Sequence, residues 1–262
     1  MIRLMKSEYL KLLYSRTFWG LLVGTIGLAI LSTAPLPYVY HDLQNRVNFG
    51  SLTNPDLVDA VYSRSAEGYI FALILGVLVM AGEFRHSTAV ATFLSAPKRI
   101  SVLGSKLIVA AIGGVFYMLV STGFGFASSA IALGYYADAA DPHPEVFINT
   151  LAAAAMAGAV LAILGVALGT LIRSQMVAVV SSLLWLFIIE RLITLFLPDI
   201  GKYLPTSLIA GMMSIKVQGT TSTGVNISTD YLDAIPATFI LIGYAAAFAA
   251  LAISTSLRRD ID

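Results

Sequence analysis

The sequence predicts an all-α membrane protein with six transmembrane helices, and three observations carry that prediction. Six apolar stretches, 18–34, 68–82, 107–135, 146–172, 176–197 and 234–257, alternate with polar segments, and most reach the roughly 20 residues a helix needs to cross about 30 Å of hydrocarbon. The Lys and Arg residues of the polar segments fall overwhelmingly on one alternating set. Finally, 58% hydrophobic residues, 12% charged residues and a mean hydropathy of +0.84 leave too little polar surface for a soluble domain of 262 residues.

If each stretch crosses once, one set comprises the N-terminus, 83–106, 173–175 and the C-terminus. It carries Arg3, Lys6, Lys11, Arg16, Arg85, Lys98, Arg99, Lys106, Arg173, Arg258 and Arg259. The other set, 35–67, 136–145 and 198–233, holds only Arg46, Arg64, Lys202 and Lys216 and is acidic. The positive-inside rule then places both termini in the cytoplasm, and an odd number of spans would scatter the bias. The net charge of +1 matters less than this segregation and gives no basis for a nucleic-acid partner. With zero Cys, disulfides, thiol catalysis and thiolate metal sites are excluded.

Taken in chain order, residues 1–17 read as an amphipathic helix on the inner membrane surface. At 100° per residue, Ile2, Met5, Tyr9, Leu12 and Leu13 gather on one side and Arg3, Ser7, Lys11 and Ser15 on the other. Arg3, Lys6, Tyr9 and Lys11 are the candidate residues of this interfacial helix, with the Lys and Arg side chains meeting anionic headgroups, so membrane lipid is an expected partner; the alternative is a solvated positive flank. The stretch 18–34 is read as a span rather than a signal peptide, because Pro35 directly follows the would-be cleavage point after Ser32-Thr33-Ala34.

The segment 83–106 contains a helical run, 88–96, stopped by Pro97, with Lys98 and Arg99 before the next helix. Phe93 and Leu94 are its apolar contacts, suited to a groove on a partner. The third stretch is long and carries Gly113, Gly114, Gly123 and Gly125; the fourth has Gly165 and Gly169, the first Gly20 and Gly24, spacings that permit close helix contact. Residues 205–215 read as a short helix too short to span, a re-entrant element, followed by a Gly, Ser and Thr-rich loop, 219–228. The chain shows no internal repeat and reads as one transmembrane domain, 1–262.

Enzyme signatures are missing from the sequence. It has no Gly-x-x-x-x-Gly-Lys-Ser/Thr loop for ATP and no Gly-x-Ser-x-Gly elbow, and His41, His86 and His143 lie apart with no metal-binding helix spacing. Asp141, His143 and Glu145 are interleaved with Pro142 and Pro144, which reads as a rigid turn rather than a metal site. Glu190 and Arg191 are the exceptional pair within an apolar stretch. An ionisable residue there costs about 2.5–3.5 kcal/mol on insertion scales, so the pair either lines a translocation path or snorkels to the headgroups just before Pro198. Glu83, Arg85 and His86 need be no more than boundary charges on the residues alone.

The stretch Gly82-Glu83-Phe84-Arg85-His86-Ser87-Thr88, followed by Phe93-Leu94-Ser95-Ala96-Pro97-Lys98-Arg99, resembles the membrane subunits of ABC transporters of the type-2 exporter family. Members commonly show a Gly-Glu-Phe-Arg-x-Gly-Thr-like stretch after the second span; Ser87 stands where Gly is usual. Glu8, Lys11, Leu12, Arg16 and Trp19 before the first span are also similar to these permeases. The resemblance implies a dimer with an identical or sister permease chain in a bacterial cytoplasmic membrane, each docked to a cytoplasmic ABC ATPase. ATP and Mg would then reside on the ATPase, with no cofactor in this chain. Glu83, Phe84, Arg85, His86, Thr88, Phe93 and Leu94 would form the coupling helix, and Phe187, Glu190 and Arg191 would face the substrate pathway. The rival functions are a membrane-embedded enzyme, which needs a converging catalytic cluster, and an ion-driven secondary transporter.

Overall fold

The structure is a computed structural model, and it describes residues 2–43, 47–48, 51–85, 99–172, 174–213, 218–221, 226–228 and 231–258. Six helices are long and apolar enough to cross a membrane: Arg16–Asp42, Pro55–Arg85, Ile100–Leu133, Pro144–Leu171, Gln175–Phe196 and Ala234–Ser254. The chain is a multi-pass membrane protein with a helical body. A separate N-terminal helix, Ile2–Leu13, precedes the first span.

Two of the crossings are interrupted. The first runs from Arg16 to Thr33, meets Pro35, and continues as Leu36–Leu43, since proline removes one helical N–H and crowds the preceding turn. The second is entered through Pro55–Ser63, whose N-cap Asn54 accepts a hydrogen bond from the Asp56 N–H at 3.0 Å. A 3-10 turn, Arg64–Ala66, then leads into Tyr69–Arg85. The sequence reading treats 35–67 as a polar connection. In fact Leu57, Val58, Val61 and Tyr62 form a buried helical stripe packed with Tyr40, Leu133 and Val146.

The second and fourth spans are the most enclosed, with 67% and 61% of their most apolar stretch buried, whereas the first, fifth and sixth each bury 22%. Lipid tails are as apolar as leucine, so span association rests on close packing rather than on hydrophobic transfer, and glycines set how close. A Cβ on Gly76 would lie 2.0 Å from the Ala162 carbonyl oxygen, and one on Gly165 2.1 Å from that of Leu73. Gly169 faces the second span as well, so the small-residue pair of the fourth span is an interface. In the first span Gly24 abuts the Phe71 ring, whereas among the described residues nothing lies within 4 Å of a Cβ on Gly20. Side-chain hydrogen bonds fix the first span to the third, from the Tyr117 hydroxyl to the Phe18 carbonyl and between the Thr33 and Ser128 hydroxyls.

The third helix is continuous over Arg99–Leu133, 35 residues, so it begins at the basic residues that follow Pro97 and carries Lys106 ahead of the apolar stretch 107–135. The fifth span contains one π-helical turn, Trp185–Ile189, directly before Glu190. The short helix expected at 205–215 is present as Pro205–Met212. The Gly, Ser and Thr-rich 219–228 is not simply a loop. Gln218–Thr221 and Asn226–Ser228 pair antiparallel, and Val47–Asn48 adds a third strand, with Val47 opposite Thr221. Thr and Ile are residues that suit a pleated backbone, and the pairing joins the connection after the first span to the one before the last.

The glycine contacts make a direct prediction. Gly76→Val should abolish recovery of monodisperse protein in detergent, because backbone cannot yield to a side chain and overpacking costs at least about 1–3 kcal/mol, while Gly20→Val should match the parent in yield and thermal midpoint.

Candidate functional site

The most concentrated chemistry lies at the end of the bundle that carries Arg16, Arg85 and Arg99, the basic end. Lys106 sits in the second turn of the third helix among the buried residues Val102, Leu103, Val109 and Ala110. A lysine on an apolar stripe must bring its own counter-charges, since burying an unpaired ion costs several kcal/mol. Lys106 Nζ donates to Glu8 Oε2 at 2.5 Å and forms an ion pair with Glu83 Oε1 at 2.8 Å, with its side chain 1% exposed. Glu8 comes from the N-terminal helix, where Met5, Glu8 and Leu12 share the inward face, and Glu83 from the last turn of the second span.

Lys11 closes the ring from outside. Its Nζ lies 2.8 Å from Glu8 Oε1 and 3.3 Å from Glu83 Oε1, and its side chain is half exposed. The four residues thus form a closed circuit of alternating charge that joins the N-terminal helix to the second and third spans. Burial pushes the Glu8 carboxyl upward, but the Lys106 charge and the donors from Lys106 and Lys11 outweigh it and hold the group below its usual range. For Lys11, burial acts downward and the two carboxylates more than reverse it, so the ammonium is held above its ordinary value.

The expected coupling residues separate around this ring. Glu83 is buried and turned inward onto the two lysines, Phe84 is half-buried against Met80 and Leu103, and Arg85 is exposed. His86, Thr88, Phe93 and Leu94 lie outside the described residues, as does the side chain of Arg3. Lys6 is exposed and Tyr9 is 47% exposed, away from the buried Leu12 with which the sequence reading grouped it. Lys11, read as a headgroup contact, spends its charge within the protein. Glu8 and Lys106 carry the site and were absent from the expected site residues. The signal for each was in the spacing, because both sit three or four residues from apolar neighbours on a helix face that proves to be buried.

At the far end the trio Phe187, Glu190 and Arg191 also divides. Glu190 is 0% exposed, whereas Phe187 and Arg191 are exposed. Glu190 Oε1 accepts from Trp185 Nε1 at 2.9 Å, and Oε2 accepts from the Thr206 N–H at 3.0 Å and from the Thr206 hydroxyl. Thr206 opens the helix Pro205–Met212, so the carboxylate caps that helix and meets the positive end of its dipole. Glu190 therefore does not snorkel, and it is the clamp between the fifth span and the short helix.

His143 forms a third polar contact. Its backbone N–H donates to Asp59 Oδ1 at 2.9 Å and its ring Nδ1 lies 2.7 Å from Oδ2. The hydrogen bond and charge of Asp59 raise the imidazole above its ordinary value. Asp56 and Asp59, rather than the Asp141 and Glu145 adjacent in sequence, are thus the carboxylates nearest His143, and the ion pair with Asp59 accounts for the arrangement. No protein-family model matches the chain, and no curated protein matches it.

The ring predicts unequal costs for its two lysines. Lys106→Ala leaves two buried carboxylates facing each other and should lower stability by about 3–5 kcal/mol, against about 1 kcal/mol or less for the half-exposed Lys11→Ala, both read from thermal unfolding of purified protein. Equal losses would contradict the assignment. Because the Glu8 carboxyl is held below 4.5, its contribution is present above that pH and is lost as the pH falls through the folded-state value; the parent should therefore approach the Lys106→Ala variant only in acid.

A second prediction concerns Glu190. The chain has no cysteine, so Leu208→Cys, at a position 0% exposed, gives a single labelling site beneath the clamp. Adding Glu190→Leu should accelerate its thiol labelling by about tenfold or more, as expected from losing about 1.5–3 kcal/mol of charge-assisted hydrogen bonding. An unchanged rate would mean that Glu190 does not hold the short helix.

Proposed function

We propose that the chain is the membrane-spanning permease subunit of an ATP-driven exporter similar to the type-2 ABC transporters, in a bacterial cytoplasmic membrane with both termini inside. The observation that supports this reading is where the second span hands over to the coupling-like segment. Its first residue, Glu83, is a member of the buried charge ring, and Arg85 is exposed two residues later. A load applied to 85–98 by a partner would thus reach the second span, the third span and the N-terminal helix together.

The remaining features take roles within that scheme. The N-terminal helix, with Lys6 and Tyr9 exposed, is the membrane-surface connector. Pro205–Met212 is a re-entrant element at the outer end, held to the fifth span by Glu190. A second permease chain, identical or sister, would cover part of the apolar surface that the first and fifth spans expose, which includes Trp19, Val23, Phe187 and Ile188. ATP and Mg belong to a separate cytoplasmic ATPase. Its closure would tilt the spans by way of the ring and move an amphiphilic cargo outward by alternating access.

Co-expression with an ATPase subunit encoded beside it provides the test. The parent chain should co-purify with the ATPase and transport only in the presence of ATP. Phe93→Asp should reduce both co-purification and coupled transport at least about tenfold, the cost of one buried apolar anchor at an interface, with membrane insertion unchanged. Transport that persists without any nucleotide-hydrolysing partner would overturn the reading.

A further inference from the structure

We propose that the groove between the second and fifth spans at the basic end holds an anionic phospholipid, its phosphate on Arg85 and one acyl chain laid along the groove. The groove has a volume of about 670 Å³, within the roughly 300–1,000 Å³ of small-molecule sites. Ile74, Leu78 and Phe84 of the second span form one wall, and Met176, Val179 and Val180 of the fifth form the other. Its polar residues, Arg85, Ser174 and Gln175, gather where the second span ends and the fifth begins.

The length of the groove selects a lipid. From Ile74 to Arg85 the second span rises about 16 Å at about 1.5 Å per residue, and one leaflet supplies half of a hydrocarbon core about 30 Å thick. An acyl chain against Ile74 and Leu78 therefore brings its headgroup level with Arg85. A free phosphate would leave both apolar walls uncovered, whereas a lipid covers them and meets the guanidinium with the same molecule.

The sign of the headgroup follows from the charge at the mouth. Arg85 is the one charged residue among the described lining; it is exposed and makes no ion pair among the described residues. Glu83, two positions earlier, does not line this groove and is turned inward onto Lys106 and Lys11. The flanking sequence adds no opposing charge, since 86–99 contains no Asp or Glu and Arg173 directly precedes Ser174. A guanidinium presents paired N–H donors that match two phosphate oxygens. Across the mouth, the exposed Ser174 makes no side-chain cap on the helix Gln175–Leu184, so its hydroxyl and the first N–H groups of that helix add donors of the same sign. A zwitterionic lipid would bring a cation towards Arg85 along with its phosphate, and a net negative headgroup does not. Binding requires no partner subunit, so the inference stands apart from the exporter reading.

Brominated lipids provide the test, because bromine quenches a fluorophore only at close range. The chain has no cysteine, so Val180→Cys on the groove wall, labelled with bimane, reports the occupant. Leu195→Cys, 73% exposed near the other end of the fifth span, is the control. The full chain is reconstituted in phosphatidylcholine vesicles carrying dibrominated phosphatidylglycerol or dibrominated phosphatidylcholine at equal mole fraction. At position 180 the phosphatidylglycerol should bind about fivefold more tightly, as expected for one basic residue facing an anionic headgroup, with no preference at position 195. Arg85→Gln should remove the preference and Arg85→Glu should reverse it, both with thermal midpoints close to the parent's. Equal quenching by the two lipids in the parent, quenching by neither because protein covers the groove, or a preference that survives Arg85→Gln would overturn the site. Relief of quenching by soluble glycerol 3-phosphate would show that phosphate binds without its chains and would overturn the lipid as occupant.

Discussion

An ammonium group with 1% exposure, held between two carboxylates from different helices, constrains how the basic end of this protein is assembled. Lys106 cannot remain charged and buried unless Glu8 and Glu83 are both in place, and neither carboxylate is stable there without the lysine. The N-terminal helix is therefore part of the bundle rather than an appendage to it. Its apolar side contributes Leu12, with Met5 and Leu13 beside it, to a cluster with Phe18, Leu22 and Val109, and the ion pairs add charged contacts to that packing.

The bundle behind the ring is rigid for a different reason. Gly76, Gly114, Gly158 and Gly165 bring the second, third and fourth spans to backbone contact, and such contacts do not slide without clashing. A rigid central trio with more exposed first, fifth and sixth spans divides the molecule into a body and a periphery. The ring ties the N-terminal helix to this body at the basic end, hydrogen bonds at Tyr117 and Ser128 tie the first span to it, and the Glu190 clamp ties the fifth span to the short helix at the far end. In the proposed transport cycle these are the points at which a push on the segment after Glu83 and a movement of the short far-end helix would be transmitted.

Much of this architecture is legible in the sequence because hydropathy and charge segregation are strong one-dimensional signals. All six spans were placed from them, and the small-residue pair Gly165 and Gly169 was recognised as a packing face. What escaped detection depended on pairing across the chain. Lys106 reads as a boundary charge because it directly precedes the apolar stretch 107–135, and becomes a buried group only when the carboxylates of two other helices meet it. Leu57, Val58, Val61 and Tyr62 hide in a segment whose Asp56 and Asp59 depress its mean hydropathy. Glu190 and Arg191 are adjacent in sequence, yet consecutive helical residues point about 100° apart, and only the fold decides that one is buried and the other exposed.

The most direct measurement of the central claim is a double-mutant cycle between Glu8 and Lys106, using Glu8→Gln, Lys106→Met and the pair of substitutions together, with unfolding free energy in detergent as the readout. If the two side chains share one buried contact across 98 positions of sequence, the double variant should lose less than the sum of the single losses by about 1–3 kcal/mol. Additive losses would show that the N-terminal helix is not fastened to the third span through this pair, and the account of a ring-coupled bundle would then be wrong.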